Sequence, residues 1–225
     1  MKILAVDTAT KSCSVAILEA GSLSAELTTL KDQTHSKQLM QLIHKGLALS
    51  GFSTGELDGL AVTIGPGSFT GLRIGISTIK GLAHALDKPV VGVSSLDALA
   101  WQCADRSLLI CPLIDARKGE VYSATYRYEN DRLTRKSSEN VGIPEAVVQK
   151  IKEPCVFIGS GAQLYRRNIS TVLGDQAHFA PGSQNNIRAS SVAFLSMQRF
   201  ETNDTDEVGD LVPHYIRKSD AELNF

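Results

Sequence analysis

Residues 2–18, Lys-Ile-Leu-Ala-Val-Asp-Thr-Ala-Thr-Lys-Ser-Cys-Ser-Val-Ala-Ile-Leu, decide how the fold is read. Ile3–Val6 is a short apolar run ended by Asp7, and Cys13–Leu18 returns as a second run across a polar turn. Ser24–Thr29 follows the Gly21-Ser22 turn signal and completes a meander of three strands. The pattern recurs further on. Leu108–Ile114 is apolar, Val121–Tyr128 alternates, and Leu133–Ser137 follows an Asn130-Asp131 turn. Placing Asp7 on Asp115 sets Val15 and Ala16 on Ser123 and Ala124. Each copy then has an acid at the end of its first strand and a polar turn after it. This is a weak internal repeat of about half the chain. Two unrelated hairpins would look the same, so the elements between them have to carry the fold.

Those elements alternate. Leu39, Met40, Ile43 and Leu47 recur at helical spacing after a cap at Thr34 or Ser36, and Gly51 ends that helix. Gly59–Ile64 reads as a buried strand, Gly65-Pro66-Gly67 as a sharp turn and Ser68–Leu86 as a helix closed by Lys88-Pro89. Val90–Val93 is a further strand, and Ser94 or Ser95 caps a helix carrying Leu96, Leu99, Ala100 and Cys103. In the second half, Pro144 opens a helix to Ile151. Cys155–Ile158 is a strand ending in the Gly159–Ala162 turn, and a helix near Leu164–Val172, a strand near His178–Ala180 and a helix near Ser190–Phe200 follow. Strands alternating with helices make this an α/β chain, with the meanders adding antiparallel strands. Two lobes are expected, residues 1–106 and 107–225, with the last segment free to pack back on the first lobe.

Composition narrows the function. With 225 residues the chain buries enough surface to need no disulfide or metal staple. Its 23 basic residues nearly cancel its 24 acidic ones, which disfavours a chain that grips nucleic acid by itself. The four cysteines form no CxxC and sit in apolar runs, so they read as buried thiols. Only four apolar residues follow Lys2, short of the roughly seven to fifteen of an export signal. No apolar run approaches a membrane span. The expected location is the cytoplasm.

Few segments carry recognisable chemistry. Gly65–Gly71 follows a strand and opens a helix, a context suited to anions. It lacks the Lys-Ser/Thr end of a P-loop, and Thr70 stands where a dinucleotide fingerprint needs its third glycine. Gly71, Gly75 and Gly81 fall in the following helix, each interior glycine costing about 1 kcal/mol against alanine. Such a stripe calls for close approach by another backbone. Asp7 and Asp115 can hold Mg²⁺ or a water in a two-lobed phosphotransferase, or they can cap their own turns. No pair of the five histidines has metal-site spacing, and no GxSxG nucleophile elbow occurs.

At these residues the chain resembles a known family. Met1–Ala16 opens like the TsaB (YeaZ) family. The run from Gly65 to Gly75, with Lys80-Gly81-Leu82-Ala83, is similar to that family's most specific signature. Asp115-Ala116-Arg117 with Gly119–Tyr122 resembles its second-lobe hairpin, and Pro213–Arg217 its C-terminal motif.

The resemblance implies a two-lobed actin/hexokinase/Hsp70-like fold with duplicated mixed-sheet lobes. It implies a non-catalytic role in forming threonylcarbamoyladenosine beside the anticodon of tRNAs that read codons starting with A. In such a system a related transferase, TsaD, does the chemistry, a TsaE-like ATPase joins, and tRNA is reached only through the complex. No cofactor is implied. The N-lobe helices would form the contact with TsaD, and the same surface can make a homodimer. Met40, Ile43, Leu47, Leu72, Ile76, Ile79 and Ala83 are the apolar candidates for it. Gly65, Pro66, Gly67 and Ser68 form the signature turn, and Asp7 and Asp115 become degenerate phosphate-hairpin positions. The related transferase carries a His-x-x-x-His metal pair after the next strand, and aligning on Val93 puts Ser95 and Leu99 there. Leucine cannot ligate a metal. The rival reading is a phosphotransferase or ATPase using Asp7 and Asp115, and a metallopeptidase-like enzyme is a third.

Overall fold

The computed structural model describes residues 1–30 and 35–217. They divide into two compact units: Met1–Ala98 with Ile187–His214, and Leu99–Asn186 with residues 215–217.

The first unit opens with strands β1 (Lys2–Asp7), β2 (Cys13–Glu19) and β3 (Ser22–Thr29), joined as an antiparallel meander. Helix α1 (His35–Ser50), β4 (Gly59–Gly65), α2 (Phe69–Leu86) and β5 (Val90–Ser94) follow. The sheet order is β3-β2-β1-β4-β5, with β1, β4 and β5 parallel. β1 is central and buried along Ile3–Asp7, which is why its apolar run does not alternate. Ser36 is the second residue of α1 and so is not its cap, while Thr34, the other expected cap, lies outside the described residues. The short helix α3 (Ser95–Trp101) leads onward.

The second unit contains β6 (Leu109–Arg117), β7 (Glu120–Ser123), β8 (Tyr126–Glu129), β9 (Arg132–Arg135) and β10 (Asn140–Gly142). After them come α4 (Pro144–Val148), β11 (Cys155–Ile158), α5 (Ser160–Leu164), α6 (Arg166–Leu173) and β12 (Ala177–Phe179). Its sheet runs β10-β7-β6-β11-β12, repeating the order and strand directions of the first unit.

Three expectations change here. The run from Val121 to Tyr128 is not one strand: it breaks at Ala124-Thr125, and Thr125 instead donates its N–H to Ser137 Oγ and accepts from Lys136 N–H. The segment near Leu133 is therefore the partner of β8, and β10 takes the third place of the repeat. The turn joining β6 and β7 is one residue shorter than its counterpart, because Asp115 faces Val121 whereas Asp7 faces Ser14. The Gly159–Ala162 segment is no plain turn but leads into α5. Gly159 (φ +108°) and Gly161 there lie so close to Leu113 that a Cβ would sit 2.5 Å and 3.0 Å from its carbonyl oxygen.

The last helix, α7 (Ala189–Glu201), belongs to the first unit rather than the second. Val15 and Ile17 of β2 lie against Gly46 of α1, whereas Ser14 accepts a hydrogen bond at 3.0 Å from the N–H of Ala189. Neighbouring strand residues point to opposite faces, so α1 and α7 cover opposite sides of one sheet. At the far end of α7, Phe200 packs on Gly59, where a Cβ would fall 2.7 Å from its ring. A cut at residue 106 thus separates the first sheet from one of its two covers.

Candidate functional site

The signature turn is built into the first unit by contacts that only small residues allow. Gly65 has φ +125° and precedes a cis peptide to Pro66. A Cβ on Gly65 would lie 2.6 Å from the His214 carbonyl oxygen, and the His214 N–H donates to Ile64 O at 2.7 Å. Ser68 caps α2, its Oγ accepting from Gly71 N–H, while its own N–H donates to Ala9 O at 2.7 Å.

The glycine stripe finds its partner in the turn after β1. A Cβ on Gly67 would sit 2.3 Å from Ala9 O, one on Gly71 2.0 Å from Thr8 O, and one on Gly75 2.4 Å from Thr8 Oγ1. Thr8 in turn donates its hydroxyl to Gly71 O at 2.7 Å. Gly81 differs, with nothing within 4 Å of where its Cβ would stand. The start of α2 is pressed onto the first hairpin, and the helix then runs free on its outer side.

That closure decides what Asp7 can do. Its side chain is fully buried, and Oδ1 accepts from Thr63 Oγ1 at 2.7 Å and from Ala9 N–H at 3.1 Å. Oδ2 is buried without a protein partner among the described residues. Burial raises its pKa to about 7, against the two hydrogen bonds that lower it. Asp115 in the second unit is only partly buried, and its Oδ1 accepts from Arg117 N–H at 2.9 Å. It therefore braces a turn in which Arg117 and Lys118 hold φ of 61° and 54°. Arg217 closes the same hairpin from the C-terminal motif, donating to Ala116 O and to Glu120 Oε2 at 2.9 Å. Both acids are engaged by their own turns.

The expected interface residues require a correction. Ile43, Leu47, Leu72, Ile76, Ile79 and Ala83 are all buried in the first unit, and only Met40, 48% exposed, faces outward. Leu72, Ile76, Ile79 and Ala83 recur at spacings of three and four and form the inner stripe of α2. The outer face is Phe69, Thr70, Arg73, Ile74, Ser77 and Thr78, which line an open depression of about 510 Å³. Arg73 stacks on the Phe69 ring at 3.8 Å. The signal that marks this face is the polar pair Arg73 and Ser77, each one position after a buried apolar residue, Leu72 and Ile76. Among the described residues, no three His, Cys, Asp or Glu side chains gather where a metal could bind. The aligned positions Ser95 and Leu99 are both buried, and the Ser95 hydroxyl has no partner among the described residues.

Comparison with known proteins then places the chain. Residues 28–225 match the family described as TsaD: tRNA N6-adenosine threonylcarbamoyltransferase. A Bacillus subtilis protein named tRNA threonylcarbamoyladenosine biosynthesis protein TsaB is 34% identical over 228 residues, covering 100% of this chain and 98% of that one. The chain belongs to the TsaB family. The solved structure of YeaZ from Pseudomonas aeruginosa superposes with a TM-score of 0.81 at 28% identity, over 95% of this chain and 99% of that one. The fold is the duplicated actin/hexokinase/Hsp70-like one. A component of (R)-2-hydroxyglutaryl-CoA dehydratase from Acidaminococcus fermentans shares it at a TM-score of 0.52 and 12% identity, over 87% of this chain and 97% of that one. The match to the TsaD description means that this TsaB-family chain also shares sequence with the transferase family. Among the described residues no helix is long and apolar enough to cross a membrane.

Proposed function

We propose that this chain is a non-catalytic accessory subunit of a threonylcarbamoyl transferase that modifies adenosine in tRNA, acting in the cytoplasm by binding a TsaD-like catalytic subunit. One observation carries this reading: the first hairpin is filled by α2, with Asp7 sealed beneath it, while the outer face of the same helix is left open. A phosphate-binding hairpin needs free amides. Here the Ala9 N–H is spent on Asp7 and the Ser12 N–H on Thr10 Oγ1. For the phosphotransferase reading Asp7 has only Oδ2 unengaged among the described residues, and that oxygen is buried.

The contact is assigned to Phe69, Ile74 and Ser77 of α2, with the exposed Met40 of α1 as a further candidate. Thr78 and Gly81 permit another helix to approach closely. Through that face a second copy of the chain would compete with the transferase, and a TsaE-like ATPase would join the resulting pair.

The experiment is co-purification with the TsaD-like subunit, paired with a transfer assay in its presence and absence. Ser77→Trp and Ile74→Glu should each cut binding at least tenfold while leaving the melting temperature within a few degrees. Full binding by both folded variants would overturn the surface. Failure of the unaltered chain to bind or stimulate the transferase would overturn the function. Tight Mg²⁺-dependent ATP binding by the isolated chain, lost in Asp7→Asn, would favour the rival enzyme.

A further inference from the structure

The two units repeat one sheet but are not covered equally. In the first unit α1, 16 residues long, follows the third strand of the repeat and lies over β2 and β3 with Leu39, Ile43 and Leu47 buried. The helix in the equivalent place of the second unit, between β10 and β11, is α4, which has only 5 residues. The face it leaves open is deepened because β7 stops at Ser123 and the chain crosses over into the β8–β9 hairpin. A cavity of about 590 Å³ results.

Its floor is apolar, made by Leu109, Cys111, Ala124, Val147 and Ile151. Its rim is cationic in balance. Glu153 is bonded to Arg127 and Glu129 to Lys136, so the rim carboxylates are already neutralised. Lys150 and Lys152 are left over: the Lys152 ammonium rests on the Gln149 carbonyl at 2.7 Å, and that of Lys150 meets no acceptor among the described residues. Ser123, Thr125, Ser137, Ser138 and Asn140 add neutral polar groups to the wall, and the volume falls in the roughly 300–1,000 Å³ range usual for small-molecule sites.

We propose that this cavity binds a small amphipathic organic anion, its apolar body on the Leu109–Cys111 floor and its acidic group held by Lys150 and Lys152. The site lies wholly in the second unit and owes nothing to the face assigned to the transferase, so the two readings stand or fall separately. A pair of ammonium groups suits a carboxylate and a phosphate ester alike, and the test separates them.

The probe is 8-anilinonaphthalene-1-sulfonate, titrated by fluorescence into the full chain. One saturable site is expected. The Lys150→Glu/Lys152→Glu double variant, altered only at exposed positions, should weaken it at least tenfold. Val147→Phe, which fills the cavity from its half-buried wall, should abolish it in a protein with an unchanged circular dichroism spectrum. Displacement by decanoate, by naphthyl phosphate or by both supports the site and identifies its headgroup. Absence of a saturable site, equal binding by both folded variants, or displacement by neither compound overturns it.

Discussion

Asp7 is a carboxylate built into a core, with one oxygen bonded twice and the other unpartnered among the described residues. The cost of charging it should appear as a pH dependence of stability. Its pKa moves from 3.8 to about 7 on folding. Below pH 4 the group is protonated in both states. Between pH 4 and 7 the unfolded chain releases the proton while the folded one keeps it, so each unit of rising pH favours unfolding. Above 7 the loss is complete, at about 4 kcal/mol. Urea melts between pH 4.5 and 7.5 should show this slope in the unaltered chain and not in Asp7→Asn; parallel curves would refute it. Two glycines of α2 supply a second residue-level test. Gly71→Ala drives a methyl into the Thr8 carbonyl and should cost roughly 3 kcal/mol or more, whereas Gly81→Ala enters open space and should gain up to about 1 kcal/mol. Chemical denaturation of the two variants side by side measures both.

At the scale of the element, α2 shows what a helix pattern conveys and what it withholds. Its length, its start near Ser68 and its end before Lys88-Pro89 were legible, since each rests on local chemistry. So was the need for a close backbone at Gly71 and Gly75. Which backbone supplies it was not, because Thr8 and Ala9 are some sixty residues away in sequence and nothing local names them. The inner and outer faces were also confounded, because Leu72, Ile76, Ile79 and Ala83 would suit a core or a partner equally. Ile76 shows the consequence. It is 3% exposed, so Ile76→Glu should bury an unpaired charge and unfold the first unit instead of selectively breaking a complex. Loss of the cooperative thermal transition in that variant, with Ser77→Trp melting normally, is the expected result. The second meander was misread for a related reason: alternation continues through Ala124-Thr125, but the hydrogen bonds to Lys136 and Ser137 turn the chain there.

For the whole molecule, duplication could be read from Asp7 and Asp115, because a strand-end acid and polar turn recur in both halves. A return of the last segment to the first lobe was allowed for, but not that α7 takes part in it, as its apolar residues suit either sheet. The first unit is thus discontinuous in sequence. A fragment ending at residue 106 lacks α7 and exposes the side of the sheet that carries Ala5, Ala16 and Gly59. It should fail to give dispersed amide resonances or a cooperative melt. Linking 1–98 directly to 187–214 should restore both, provided the linker spans the gap. If the 1–106 fragment folds as well as the linked one, α7 is dispensable and the division is drawn in the wrong place.

The position of α7 also sets an order of events on the ribosome. The sheet of the first unit leaves the exit tunnel early, yet the helix that seals its second face is made only after Ser95–Arg188 has been translated. At about 5–20 residues per second that is a wait on the order of five to twenty seconds. Throughout it the Leu99–Asn186 stretch, which carries every strand of the second sheet, can fold while the first unit presents an apolar sheet to whatever binds nascent chains. The sheet that is synthesised first waits longest for its cover.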